Sequence, residues 1–177
     1  MGRRPLQFED IRPDFEQYNK FIQANRFPIS LLLDGVDDVR NVGAIFRLAD
    51  GARLEKIYTY NSKIIRIDKQ LRRVSRATEQ FVPYEHLPDL AALQALKVIK
   101  PLIGLEWTND SILYTEYQIP KEGCILVLGN EECGISQEVL NLLDTCVHIP
   151  MYGVKTSLNV AVAAGIVMYD FLNRMNN

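Results

Sequence analysis

The chain has 177 residues, 47% of them hydrophobic and 24% charged, the make-up of one soluble globular domain. Its net charge of −2 argues by itself against a nucleic-acid partner. The charged N-terminus lacks the apolar core of a signal peptide, and the longest apolar stretch, residues 160–172, contains Asp170 and is too short to cross a bilayer.

Residues 8–26 scatter apolar positions among charges and predict an N-terminal helix, so residues 1–28 read as a helical extension to a domain of residues 29–177. ISLLLDG, residues 29–35, is a short apolar run closed by a turn signal, hence a buried strand. In NVGAIFRLADGA the apolar positions 42, 45, 46 and 49 have helical spacing, and EKIYTY is β-branched and aromatic, a second strand. KIIRIDKQLRRVSR, residues 63–76, carries six Lys or Arg and one Asp. It is either a solvated helix face or a surface able to neutralise several phosphates.

PDLAALQALK is helical, with Pro88 and Asp89 as start signals. PLIGLEW and CILVLGN are buried strands ending in polar loops. SQEVLNLLD is a short helix with Ser136 as N-cap, and CVHIPM is a strand. Residues 158–173 form the C-terminal helix, with Ser157 placed to cap it and Asn159 just inside it.

Strand and helix alternate about five times, which predicts an α/β fold with a mostly parallel sheet and helices on both faces. Ligands of such sheets bind at the carboxyl ends of the strands. The polar segments DGVDDVRN, GLEWTND, GNEECG and MYGVKTS collect there. The three cysteines lack C-x-x-C spacing and the two histidines are far apart, so reduced thiols in a cytoplasm are expected and no metal site is. No G-x-G-x-x-G is present, which disfavours a dinucleotide oxidoreductase. GNEECG has the glycine spacing of a P-loop, but Ile135 stands where the lysine is needed, and Glu131 and Glu132 would repel phosphate. A cationic or zwitterionic cofactor would tolerate them.

Three segments, LLLDGVDDVRNVGAIFRLADG, ILVLGNEECGIS and IPMYGVKTSLNVAVAAG, resemble in order and spacing the signature motifs of the SpoU/TrmH RNA 2′-O-ribose methyltransferases of the SPOUT superfamily. The resemblance covers about residues 29–173. It implies a C-terminal deep trefoil knot, S-adenosyl-L-methionine as cofactor, and a homodimer with active sites at the subunit interface. The implied substrate is a ribose 2′-hydroxyl of tRNA or rRNA. The shortness of the chain tilts the expectation toward tRNA. A catalytically silent RNA-binding module of the same fold is the alternative.

The resemblance also distributes roles. Arg47 inherits the main catalytic role, as proton acceptor or as the group that stabilises charge on the attacking oxygen. Asn41 caps a helix, works in the site, or both. Glu131, Ser157 and Asn159 join the catalytic group. Leu105, Gly129, Asn130, Ile149, Met151 and Leu158 would enclose the cofactor, with Glu106 at a further strand end. Gly129 would let backbone approach the ligand. Lys63, Arg66, Lys69, Arg72, Arg73 and Arg76 become an RNA-facing surface.

Overall fold

The computed structural model describes residues 3–64 and 66–176. Its N-terminus holds two helices, α1 (Phe8–Ile11) and α2 (Phe15–Ala24), where a single helix is expected over residues 8–26. Pro13 is the cause. It lacks an N–H and drives Arg12 out of helical conformation, to φ −133° and ψ 66°. Asp14 restarts the helix by accepting the Gln17 N–H at 3.0 Å.

The chain continues through β1 (Phe27–Asp34), α3 (Val39–Gly51), β2 (Leu54–Tyr60) and α4 (Lys69–Ser75). After one 3-10 turn come β3 (Tyr84–His86), α5 (Leu90–Ile99), β4 (Leu102–Leu105) and β5 (Ile112–Leu113). It ends with β6 (Cys124–Leu128), α6 (Gln137–Leu140), β7 (Thr145–His148) and α7 (Val160–Met175). Asp38, Asp68 and Asp89 cap α3, α4 and α5, each accepting a first-turn N–H at 2.8–2.9 Å. Ser136 makes no such bond, contrary to expectation. Its N–H instead donates to Asp34 Oδ2 at 2.6 Å.

Among the described residues the strands form one seven-stranded sheet, in the order β3-β2-β1-β6-β4-β7-β5, with every pair parallel. Parallel strands need cover on both faces, and alternation along them supplies it. Leu31, Leu33, Leu126 and Ile103 face one core with Ile45 and Phe46 of α3 and Val167 and Phe171 of α7. Leu32, Leu102, Ile125 and Val127 face the other, with Leu93 and Leu96 of α5 and Val139 of α6. Each such fully buried side chain stabilises the fold by about 1.5–3 kcal/mol relative to exposure.

Two tethers hold the chain ends. Arg26 donates to Leu54 O at 2.7 Å, and Phe15 packs edge-on to Phe81. At the other end Arg174 donates to the carbonyls of Tyr117 and Tyr114 at 2.7 and 3.1 Å, while Tyr117 stacks on Phe171. Among the described residues no helix is long and apolar enough to cross a membrane, and no three His, Cys, Asp or Glu side chains group to hold a metal ion.

Candidate functional site

Because the strands are parallel, β1, β6, β4 and β7 all open their carboxyl ends on one edge. A cleft of about 1070 Å³ lies there. Leu105, Gly129, Asn130, Ile149, Met151 and Leu158 line it, as do Glu106, Glu131, Ser157 and Asn159.

The loop after β6 is the rigid wall. Asn130 and Gly134 exchange backbone hydrogen bonds at 2.9 Å in both directions. The Asn130 side chain donates to Gly35 O at 2.8 Å and accepts the N–H groups of Glu132 and Cys133 at 2.9 and 3.1 Å. Glu106 Oε2 accepts the Ile135 N–H at 3.3 Å. Gly129 is required by this closure. A Cβ there would stand 2.2 Å from the carbonyl carbon of Gly134. The space is filled by the loop itself, which is a different reason for glycine from close approach of a ligand.

A directed chain of amides joins the three motif segments. Asn159 Oδ1 accepts the Ala161 and Val162 N–H groups at 3.0 and 3.3 Å. Its Nδ2 donates to Asn41 Oδ1 at 2.9 Å, and Asn41 Nδ2 donates to Glu131 Oε1 at 2.5 Å. Two expectations are corrected here. Asn159 is the N-cap of α7, not a residue inside it, while Ser157 is exposed and makes no capping bond. Asn41 stands in the first turn of α3, whose cap is Asp38. The helix starts where an amide oxygen reaches two N–H groups, and Asn159 is that residue.

Arg47 lies on the exposed side of α3 with Arg40 and Ala44, outside the cleft lining. Arg40 is engaged: its guanidinium pairs with Asp38 at 2.6 Å and, by that hydrogen bond, holds the carboxyl down to about 2. Arg47 has no hydrogen bond or ion pair with any described residue. The basic segment is also apart from the cleft. Lys69, Arg72, Arg73 and Arg76 share one exposed face at helical spacing, with Arg66 exposed before them, while Lys63 pairs with Asp37 at 3.6 Å.

Several cleft residues received no role from the resemblance. Glu132 and Lys155 line the wall, giving the cleft three carboxylates, with Glu106 and Glu131, against one ammonium. Trp107 and His148 also line it and stack on each other. Each adjoins a residue the motifs point to, Glu106 or Ile149, and that adjacency was the only clue. The buried thiols are inert: burial pushes Cys124 up to about 12 and raises Cys146 too.

An all-parallel sheet with a polar cleft across its carboxyl ends defines a ligand-binding α/β protein. The pattern of the SpoU rRNA Methylase family matches residues 28–169, and the chain belongs to that family. It is 31% identical over 150 residues to the 23S rRNA (guanosine-2′-O-)-methyltransferase RlmB of Blochmanniella floridana, covering 82% of this chain and 58% of that protein. The enzyme of the same name from a Burkholderia species is 33% identical over 145 residues, 81% of this chain and 58% of that one. The chain thus spans under three fifths of these relatives' length. Among solved structures, the TrmH/SpoU tRNA modifying enzyme of A. aeolicus superposes with a TM-score of 0.78 at 25% identity, over 91% of this chain and 84% of that one. A structure concerned with 2-OH methylation of C/U34 on tRNA superposes with a TM-score of 0.73 at 25% identity, over 84% and 95%.

Proposed function

We propose that the protein methylates a ribose 2′-hydroxyl of a structured RNA, with S-adenosylmethionine as methyl donor. The observation that carries this is the amide chain from α7 through Asn159 and Asn41 to Glu131, which ties the three family motifs together beside the cleft. The cleft residues fit the donor. Leu105, Ile149, Met151 and Leu158 give apolar walls, and Glu106, Glu131 and Glu132 favour a cation over a phosphate. When bound, the cofactor supplies an electrophilic methyl group on a sulfonium.

The protein's part is positioning and charge. Asn41 and Asn159 fix the carboxylate of Glu131 in one orientation, leaving Oε2 open. Arg47, with no partner among the described residues, holds an RNA phosphate and stabilises charge on the 2′-oxygen. A guanidinium, which holds its proton firmly and offers a fork of N–H donors, suits that role better than accepting a proton. Ser157 flanks the ribose. The basic face of α4 binds the RNA backbone.

The working unit of this proposal is a homodimer with its sites at the subunit interface. Val162, Ile166 and Tyr169 support it, since they form an exposed apolar stripe on α7. The C-terminal part, in a domain of residues 29–177 with residues 1–28 as extension, threads as a deep trefoil knot. The packing of residues 114–119 across the end of α7 supports this. The protein works in the cytoplasm, in keeping with its free cysteines. Relatives named for rRNA and for tRNA both match, so the RNA is left for experiment to name.

The test is mass-spectrometric mapping of 2′-O-methyl nucleotides in total RNA incubated with the protein and the methyl donor. Wild type should add one defined modification, and Arg47→Ala should lose it by about a hundredfold or more with an unchanged melting temperature. Methylation that survives the change would remove Arg47 from catalysis, and none from wild type would favour a silent RNA-binding module. Arg72→Ala with Arg73→Ala should weaken RNA binding and flatten its dependence on salt.

A further inference from the structure

Trp107 is the chain's one tryptophan, and it is held more firmly than its exposure requires. It follows β4. Its indole N–H donates to Ile149 O at 3.2 Å, which ties the exit of β4 to that of β7. Its backbone N–H donates to Glu106 Oε1 at 3.0 Å. His148 packs on the ring, with centroids 4.2 Å apart and planes inclined by 37°. The imidazole is held in turn: Nδ1 lies 2.9 Å from Ser111 Oγ, and Ser111 bonds both the N–H and the carbonyl of Thr108. An indole fixed at its edge, along its backbone and by a second ring still leaves Trp107 55% exposed, and it lines the cleft.

Trp107 and His148 are the only aromatic rings among the described residues that line the cleft. We infer that Trp107 presents its open surface to the adenine of the methyl donor and sets affinity for it, with His148 as the positioning residue beside it. This rests on the methyl-donor reading above. The choice of adenine over an RNA base follows from the order of the strands. The Glu131–Asn41–Asn159 chain lies over β1 and β6, and the basic segment follows β2, at the far side. Trp107 bridges β4 and β7, three strand positions from β1 at β7, or about 14 Å at the usual spacing. A molecule whose reacting end lies at the amide chain would put its other end beside Trp107. Stacking on an indole is favourable for any purine and asks only for a flat surface.

A single tryptophan makes the test direct. Its emission would be followed while wild-type protein is titrated with S-adenosylmethionine, 5′-methylthioadenosine and methionine, with calorimetry in parallel. The two adenine compounds should change the emission and methionine should not. Trp107→Ala should raise the Kd for S-adenosylmethionine about tenfold or more, and Trp107→Phe should recover most of the loss. Adenine compounds that bind by calorimetry while the emission stays constant would overturn the inference and leave the methyl-donor reading standing. So would bulk tRNA that changes the emission where adenine compounds do not, since the ring would then serve the RNA. No calorimetric binding of S-adenosylmethionine to wild type would overturn both. The wild-type emission result stands even if Trp107→Ala fails to fold.

Discussion

Two loops line the same cleft and are built in opposite ways. Residues 129–135 form a closed wall: Asn130 holds Gly134, Gly35, Glu132 and Cys133, and Glu106 holds Ile135. Residues 151–158 make no hydrogen bond to any described residue, and Tyr152 and Val154 in that loop are 95% and 98% exposed. Their two glycines repeat the contrast. A Cβ on Gly129 meets backbone at 2.2 Å, and one on Gly153 meets nothing within 4 Å. One side of the cleft is therefore braced by its own hydrogen bonds, while the other is not. A loop without internal bonds is the cheapest part of a fold to rearrange.

The contrast is broken or sharpened by five substitutions. Gly129→Ala drives a methyl group into the Gly134 backbone and should cost about 3 kcal/mol in a denaturant melt. Asn130→Ala removes three side-chain hydrogen bonds and should cost about 2 kcal/mol by the same measurement. Asn159→Ala should cost about 1 kcal/mol through the lost cap, and should lower methyl transfer by more than that loss explains. Asn159→Asp keeps the capping oxygen but removes the donor to Asn41. It should melt within about 0.5 kcal/mol of wild type and still turn over about tenfold more slowly. The smallest effect belongs to Gly153→Ala, within about 0.5 kcal/mol of wild type. If Gly153→Ala were as damaging as Gly129→Ala, the two loops would not differ as described.

Much of this was legible in the sequence because the long central elements obey one rule each. β6 and the Leu31–Leu33 stretch of β1 are apolar runs, since parallel strands are buried on both faces, and α3 keeps its apolar stripe. β3 and β5, three and two residues long, were illegible because so few residues carry no periodicity. The break between α1 and α2 was written in Pro13 and Asp14, but the charge pattern around them looked continuous. In the site, the motif residues on the strand ends line the cleft. Arg47 does not, because six residues along α3 carry it about 9 Å from Asn41 and to another side of the helix. The pairing of Trp107 with His148 joins β4 to β7, and no local pattern encodes a contact 41 residues apart in the chain.

Asn159 has a consequence for how this protein is able to change. One side chain both starts α7 and orients Asn41 toward Glu131. On the proposed function, selection for a hardier helix and selection for faster methyl transfer therefore act on the same amide. Serine or aspartate would satisfy the first demand and fail the second, so a search for stabilising substitutions should find the position closed even though it is exposed.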